Sequence, residues 1–216
     1  MNMSKINTII TIGRQLGSGG RDIGIRLAEE LGIPFYDKEL LDRAAQDSGM
    51  CQELFETHDE KPTSSFLYSL VMDTYSMGFA SNTYNEMPLN HKVFLAQFDA
   101  IKKIAEEGPC VIVGRCADYA LEEYSNVMSI FIHADFESRM KRIARTEDLS
   151  DAKAKDLIQK TDKKRASYYN YYTNKKWGSS DSYDFCLSSS ELGIDGTVEI
   201  IKKLVEIKES VGEAHI

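Results

Sequence analysis

Apolar residues along this chain follow two alternating patterns. Asn7 to Ile12, Ile33 to Tyr36, Cys110 to Val113, Val127 to Ile132 and Tyr183 to Leu187 are short apolar runs that read as strands, Asn7 to Ile12 and Val127 to Ile132 as buried ones. Between them apolar residues recur at helical spacing. Ile23, Leu27, Ala28 and Leu31 form one such face, closed by Gly32, and Leu40, Leu41 and Ala44 form another behind an Asp37 cap. Val93, Leu95, Phe98, Ile101 and Ile104 mark a long helix from Pro88 through Glu107. Further helices are expected from Ala117 to Glu123, from Phe136 to Arg145, from a Ser150 cap towards Tyr172, and from Asp195 to Glu209. Strands alternating with helices predict an α/β fold, a parallel sheet of about five strands with Asn7 to Ile12 central and helices on both faces. Cys51 to Leu89 follows neither period despite Phe55, Phe66, Leu67, Tyr75 and Phe79, and reads as a helical insertion with loops.

Composition narrows this picture. A chain of 216 residues, 42% hydrophobic, suits one domain with a filled core. No apolar run approaches membrane-spanning length, and Met1 to Thr8 is too short and polar for a signal peptide, so a cytoplasmic location is expected. Cys51, Cys110, Cys116 and Cys186 are scattered without metal-ligand spacing, and Cys110 and Cys186 are expected to pack as small core residues. The four histidines show no pairing with a nucleophile. The net charge of −8 disfavours nucleic acid as a partner. Yet Arg139 to Lys176 holds twelve Lys or Arg against five Asp or Glu. On charge alone a solvated helix is the commoner explanation of such a run.

The first strand changes that balance. It leads into Gly13-Arg14-Gln15-Leu16-Gly17-Ser18-Gly19-Gly20-Arg21-Asp22, four glycines within eight residues, and then a helix. Glycine lets backbone N–H groups approach an anion closely, and the helix N-terminus adds partial positive charge. Arg14, Gly17, Ser18, Gly19, Gly20, Arg21 and Asp22 are therefore candidate phosphate-binding residues. The turn departs from Gly-x-x-x-x-Gly-Lys-Ser/Thr: Gly20 stands in the lysine position and Arg21 where a hydroxyl would hold Mg²⁺. Arg21 is the candidate replacement cation, one position late.

These blocks, with "IPFYDKELL" from Ile33, "VIVGRCADY" from Val111, "KTDKKRASYYNYYTNKKWG" from Lys160 and "YDFCLSSSELGID" from Tyr183, resemble the cytidylate-kinase-like family over nearly the whole chain. The resemblance implies a P-loop NTPase-type sheet with a helical monophosphate-binding insertion at about 49–89 and a lid at about 139–177, set in a core of 5–48, 90–135 and 182–210. It implies ATP with Mg²⁺, the metal ligands being unassigned, and CMP or dCMP as acceptor. Asp37 with Arg43 six positions on, and Arg115 of the Gly-Arg turn, are the implied acceptor residues. Cys116 replaces the family's aspartate there, and Asp118 follows two positions later. Arg139, Arg142, Lys164 and Arg165 are the implied lid cations, alongside Arg21 at the reacting phosphate. Thr161 replaces a family arginine in the lid, while Asp162 keeps the pattern. Tyr168, Tyr169, Tyr171 and Tyr172 read more readily as packing than as a base platform.

Three functions remain open at this point. One is transfer of the γ-phosphoryl of ATP to CMP or dCMP. A second is a nucleotide-binding or regulatory protein with weak or no transfer, favoured by the missing lysine and hydroxyl. A third is a kinase for another small phosphate acceptor. The basic lid favours an enzyme, because a transition-state clamp has less use in a mere binder.

Overall fold

The computed structural model describes residues 6–58 and 88–213. Most of the expected insertion therefore lies outside the described residues. Five strands form one parallel sheet in the order β2-β3-β1-β4-β5. They are β1 (Ile9–Arg14), β2 (Phe35–Tyr36), β3 (Val111–Val113), β4 (Val127–His133) and β5 (Phe185–Ser188). Strand β1 is central, as its run of Ile and Thr predicts. It extends two residues beyond Ile12, however, because β4 offers ladder partners to Gly13 and Arg14 in Phe131 and Ile132.

Eight helices are seen among the described residues: α1 (Gly20–Leu31), α2 (Glu39–Ser48), α3 (Gln52–His58), α4 (Leu89–Glu107), α5 (Ala117–Ala120), α6 (Phe136–Thr146), α7 (Asp151–Thr173) and α8 (Ser189–Glu213). Alternation along the strands divides them between two faces. Ile10, Ile12, Val111, Val113, Ile130 and Ile132 meet Ile23 and Leu27 of α1 and Val198, Ile201 and Val205 of α8. Ile9 and Ile112 face the other way, onto Leu40 of α2, Ile101 and Ile104 of α4, and Ala117 of α5.

Several local expectations need correction. Asp37 does not cap α2: Lys38 holds the cap position without a side-chain bond, because the Asp37 carboxylate is taken by two arginines. Ser150 precedes α7, but its hydroxyl makes no capping bond. Helix α5 stops at Ala120, since Leu121 leaves the helical conformation. Helix α8 starts at Ser189, six residues early, and is kinked at Gly193 (φ 67°, ψ 177°). Cys110 is buried as expected, whereas Cys186 is only half-buried on edge strand β5.

The tyrosines of α7 pack rather than face solvent. Tyr172 is fully buried and stacks on Phe94 of α4 with ring centroids 3.9 Å apart. Tyr168 donates to Gln97 Oε1 at 3.1 Å. Tyr169 donates to Asp118 Oδ2 at 2.7 Å, and its ring stacks on Tyr183. This layer fixes the C-terminal turns of α7 against α4 and the sheet and encloses Asp118. Burial pushes the Asp118 carboxyl up to about 6, against the opposing pull of the Tyr169 hydrogen bond and the Lys175 charge.

A carboxyl raised in the folded state binds more protons there than in the unfolded chain, so stability falls as pH rises between roughly 4 and 6. Asp118→Asn still accepts the Tyr169 hydroxyl and escapes that loss. It should be more stable than the parent by roughly 1–3 kcal/mol above pH 7, a gain that vanishes by about pH 4. Urea unfolding at pH 4, 5.5 and 8 checks this; an equal difference at all three would refute it.

Candidate active site

The glycine turn leaves β1 at the carboxyl end of the sheet, where doubly wound folds bind ligands. Its shape is defined by short bonds. Gln15 N–H donates to Ile132 O at 3.1 Å, and both the amide and the hydroxyl of Ser18 donate to Gln15 O, at 3.3 and 2.9 Å. The Ser18 hydroxyl is therefore turned into the turn itself. Gly17 and Gly19 both have φ 79°, a conformation that disfavours any side chain. A Cβ on Gly20 would stand 2.6 Å from the Arg14 Cβ. Gly19 caps α1 without a side-chain bond. Helix geometry leaves the N–H groups of Gly20, Arg21 and Asp22 directed beyond the helix, an arrangement suited to an anion.

These groups open on a cleft of about 580 Å³. Arg14, Arg21, Lys38, Arg115, Arg142 and Arg165 line it, against the acids Asp22, Asp37 and Glu147. The space is ample for a nucleotide triphosphate, and its lining is built for negative charge. Absence of side chains at Gly17, Gly19 and Gly20 is what a phosphate chain against the backbone requires. For Mg²⁺ the fit is narrower. Among the described residues no group of three or more His, Cys, Asp or Glu gathers. Magnesium commonly takes one or two carboxylates and the substrate's own phosphates. Asp22 and Glu147 are exposed carboxylates of the cleft lining, whereas Asp37 is engaged by arginines.

Among the charged residues of the cleft Asp37 is the hub. Arg21 Nε donates to its Oδ2 at 2.8 Å, while Arg115 Nη1 donates to its Oδ1 at 3.2 Å and to its carbonyl at 2.8 Å. Burial alone would raise the Asp37 pKa, but Arg115 and Arg14, with the Arg21 and Arg115 hydrogen bonds, hold it below the usual value. Arg115 itself is only 4% exposed at the side chain. It sits with Cys116 in left-handed backbone, φ 54° and 55°, at about 1–2 kcal/mol each. Arg43 is not in this group: it pairs with Glu107 at 2.6 Å and Asp47 at 3.6 Å on the outside of α2. Asp118 faces an inner pocket that shares Arg14, Arg115 and Arg165 with the cleft. Tyr183 also borders it, as does Thr11, whose Oγ1 is buried and has no hydrogen-bond partner among the described residues.

The lid cations separate into three groups. Arg142 and Arg165 line the cleft, with Nη1 atoms on the carbonyls of Gly17 and Arg14 at 3.1 and 3.4 Å. Arg139 is buried away from it, with Asp162 at 2.5 Å. Lys164 is exposed on the outside of α7. Sequence reading missed Lys38 on the cleft wall, whose signal was its place beside Asp37. It also missed Ser189, whose hydroxyl donates to Ser18 O at 2.6 Å and which no local pattern marks.

The model of the cytidylate kinase-like family matches residues 9–191. The cytidylate kinase of Methanopyrus kandleri is 24% identical over 213 residues, 94% of this chain and 96% of that protein. The cytidylate kinase of Pyrococcus horikoshii is 23% identical, covering 98% and 95%. Among solved structures, an uncharacterized protein from Eubacterium ventriosum superimposes with a TM-score of 0.70 at 31% identity, over 92% of this chain and 98% of that one. A shikimate kinase from Bacteroides thetaiotaomicron shares the fold, with a TM-score of 0.53 at 16% identity and the same coverage. With a P-loop kinase fold, a glycine turn opening on a cationic cleft and a family match over most of its length, the chain belongs to the cytidylate kinase-like family.

Proposed function

We propose that this protein is an ATP-dependent nucleoside monophosphate kinase acting on CMP or dCMP. The reading is supported above all by convergence: the glycine turn, the N-terminus of α1, and Arg142 and Arg165 from α6 and α7 all face one cleft at the carboxyl end of β1. Family membership supports a kinase-like phosphotransferase; the cytidine acceptor is the narrower part of the proposal. In this reading 5–48, 90–135 and 182–210 form the core, 49–89 the acceptor-binding insertion and 139–177 the lid.

The turn from Gly17 to Asp22 holds the donor phosphates on backbone N–H groups. Asp37 and Arg115 form the floor of the acceptor side. An oxygen of the acceptor phosphate attacks the γ-phosphorus, the bond to the β–γ bridging oxygen breaks, and ADP leaves. Arg142 and Arg165 neutralise charge on the transferring group, with Arg21 joining them where a P-loop lysine would act. Asp22 would hold Mg²⁺, which would supply positive charge against the donor phosphates.

A second reading, nucleotide binding with little transfer, is favoured by one observation: Arg21 is engaged by Asp37 rather than directed at the turn. A different small phosphate acceptor is the third. Steady-state assays with ATP, Mg²⁺ or Mn²⁺ and each common monophosphate separate them. CMP and dCMP are expected to be phosphorylated fastest. Transfer to none of the monophosphates would select the binding reading, and preference for another acceptor the third.

Two variants test the assignments. Gly19→Val strains a left-handed glycine beside Arg142, and should weaken ATP binding at least about tenfold, or roughly 1.4 kcal/mol. Calorimetry on the folded variant checks it, and unchanged affinity would remove the turn from the donor site. Arg142→Ala should lower kcat about a hundredfold, roughly 2.7 kcal/mol, with much smaller changes in substrate affinity. Equal losses in both would make Arg142 an ordinary ground-state contact.

A further inference from the structure

Glycine-rich turns carry a large entropy cost of ordering, about 1–2 kcal/mol per residue for the backbone alone. This one also lacks the lysine of a regular P-loop. Its backbone is instead gripped from outside. Asp162 Oδ1 accepts the Leu16 N–H at 2.8 Å, while Asp162 Oδ2 accepts from Arg139 Nη1 at 2.5 Å. The same Nη1 donates to Leu16 O at 3.2 Å. Leu16 thus has both its backbone groups held by one ion pair. That pair joins α6, which carries Arg139, to α7, which carries Asp162. The side chains are only 8% and 15% exposed, so water competes weakly. On either side of Leu16, Arg165 reaches Arg14 O and Arg142 reaches Gly17 O. A Cβ on Gly17 would lie 2.8 Å from Arg139 O, which shows how closely α6 is applied to the turn.

We infer that Asp162 and Arg139 are positioning residues that fasten the lid helices to the backbone of the glycine turn, so that the turn takes its phosphate-binding shape from the lid. Arg139 therefore serves the reaction without touching the phosphates, in contrast to the transition-state role that the family pattern implies for it. Asp162, an acid standing in a basic run, is there for the Leu16 amide. The lid base and the turn move as one body.

The inference rests on the reading of the turn as the donor site, so its test has one arm that does not. The variants are Asp162→Ala and Asp162→Asn, with Gly19→Val as the control for the donor site itself. Hydrogen exchange by NMR reads the Leu16 and Gly17 amides in the unliganded protein. Calorimetry reads ATP and CMP affinity separately. In Asp162→Ala the Leu16 amide should exchange at least about tenfold faster while amides of β1 and β4 keep their protection. ATP affinity should fall about tenfold with CMP affinity within about twofold of the parent. Asp162→Asn, which keeps an acceptor but no charge for Arg139, should show the same pattern more weakly, and it decides the matter if the alanine variant does not fold. Parent-like Leu16 exchange, or loss of protection spread evenly through the sheet, would overturn the inference. So would equal losses of ATP and CMP affinity. If Gly19→Val leaves ATP binding intact while Leu16 exchange still rises in the Asp162 variants, the donor reading fails and the fastening stands.

Discussion

The parallel ladder between β1 and β4 is the constraint on which the rest depends. It runs from Ile9 opposite Val127 to Arg14 opposite Ile132, and Gln15 adds one more bond to Ile132 O. Because β4 carries β1 this far, the glycine turn begins at the carboxyl end of the sheet and not inside it. Its N–H groups open outward, its far side lies against α6, and α1 starts directly behind it. A ladder ending at Ile12 would leave Gly13 and Arg14 in loop. The Arg14 side chain packed beside Gly20 would then lose its register.

Electrostatics follow from that placement. An acidic protein has gathered cations around one cleft, and like charges so close require internal counterions. Asp37 supplies one within the cleft, and Asp162 another behind the glycine turn. Asp37 sits between Arg21 and Arg115, and its lowered pKa keeps it ionised across the physiological range. Asp162 serves Arg139 and the Leu16 amide together. Each carboxylate thereby ties a cation to backbone: Arg115 to the start of α2, Arg139 to the glycine turn. Removing one partner of such a buried pair leaves an uncompensated charge and costs several kcal/mol. Charge and scaffold are therefore coupled here, and few of the basic residues are simple free cations awaiting phosphate.

Much of the fold and part of the site could be read from the residues. The five strands and seven of the helices follow from apolar period alone, because burial of a face is what the period records. The glycine turn was legible because only a close backbone approach explains four glycines between a strand and a helix. Arg115 was named through the resemblance, and the structure places it on the cleft wall against Asp37. Arg43 was not, since the six-residue spacing from Asp37 is compatible with either side of α2, and Glu107, from a helix far along the chain, draws it outward. Arg139, Arg142 and Arg165 look alike in a list of cations. Their separation depends on which turn of α6 or α7 meets the turn backbone and which meets the cleft.

What the sequence alone determined is the kind of object this is: a parallel sheet, a glycine-rich turn after its first strand, and a basic helical stretch beyond its fourth. Those properties are local, set by period, glycine content and charge within a few residues. Only the tertiary structure decided how the charges are used. Asp162 lies 146 residues from the Leu16 amide it accepts, and Asp37 lies 78 residues from Arg115. Hydrogen bonds act over about 3 Å and have no preference for sequence neighbours. Which carboxylate meets which guanidinium is therefore settled only when the sheet and the aromatic layer under α7 have brought those segments together.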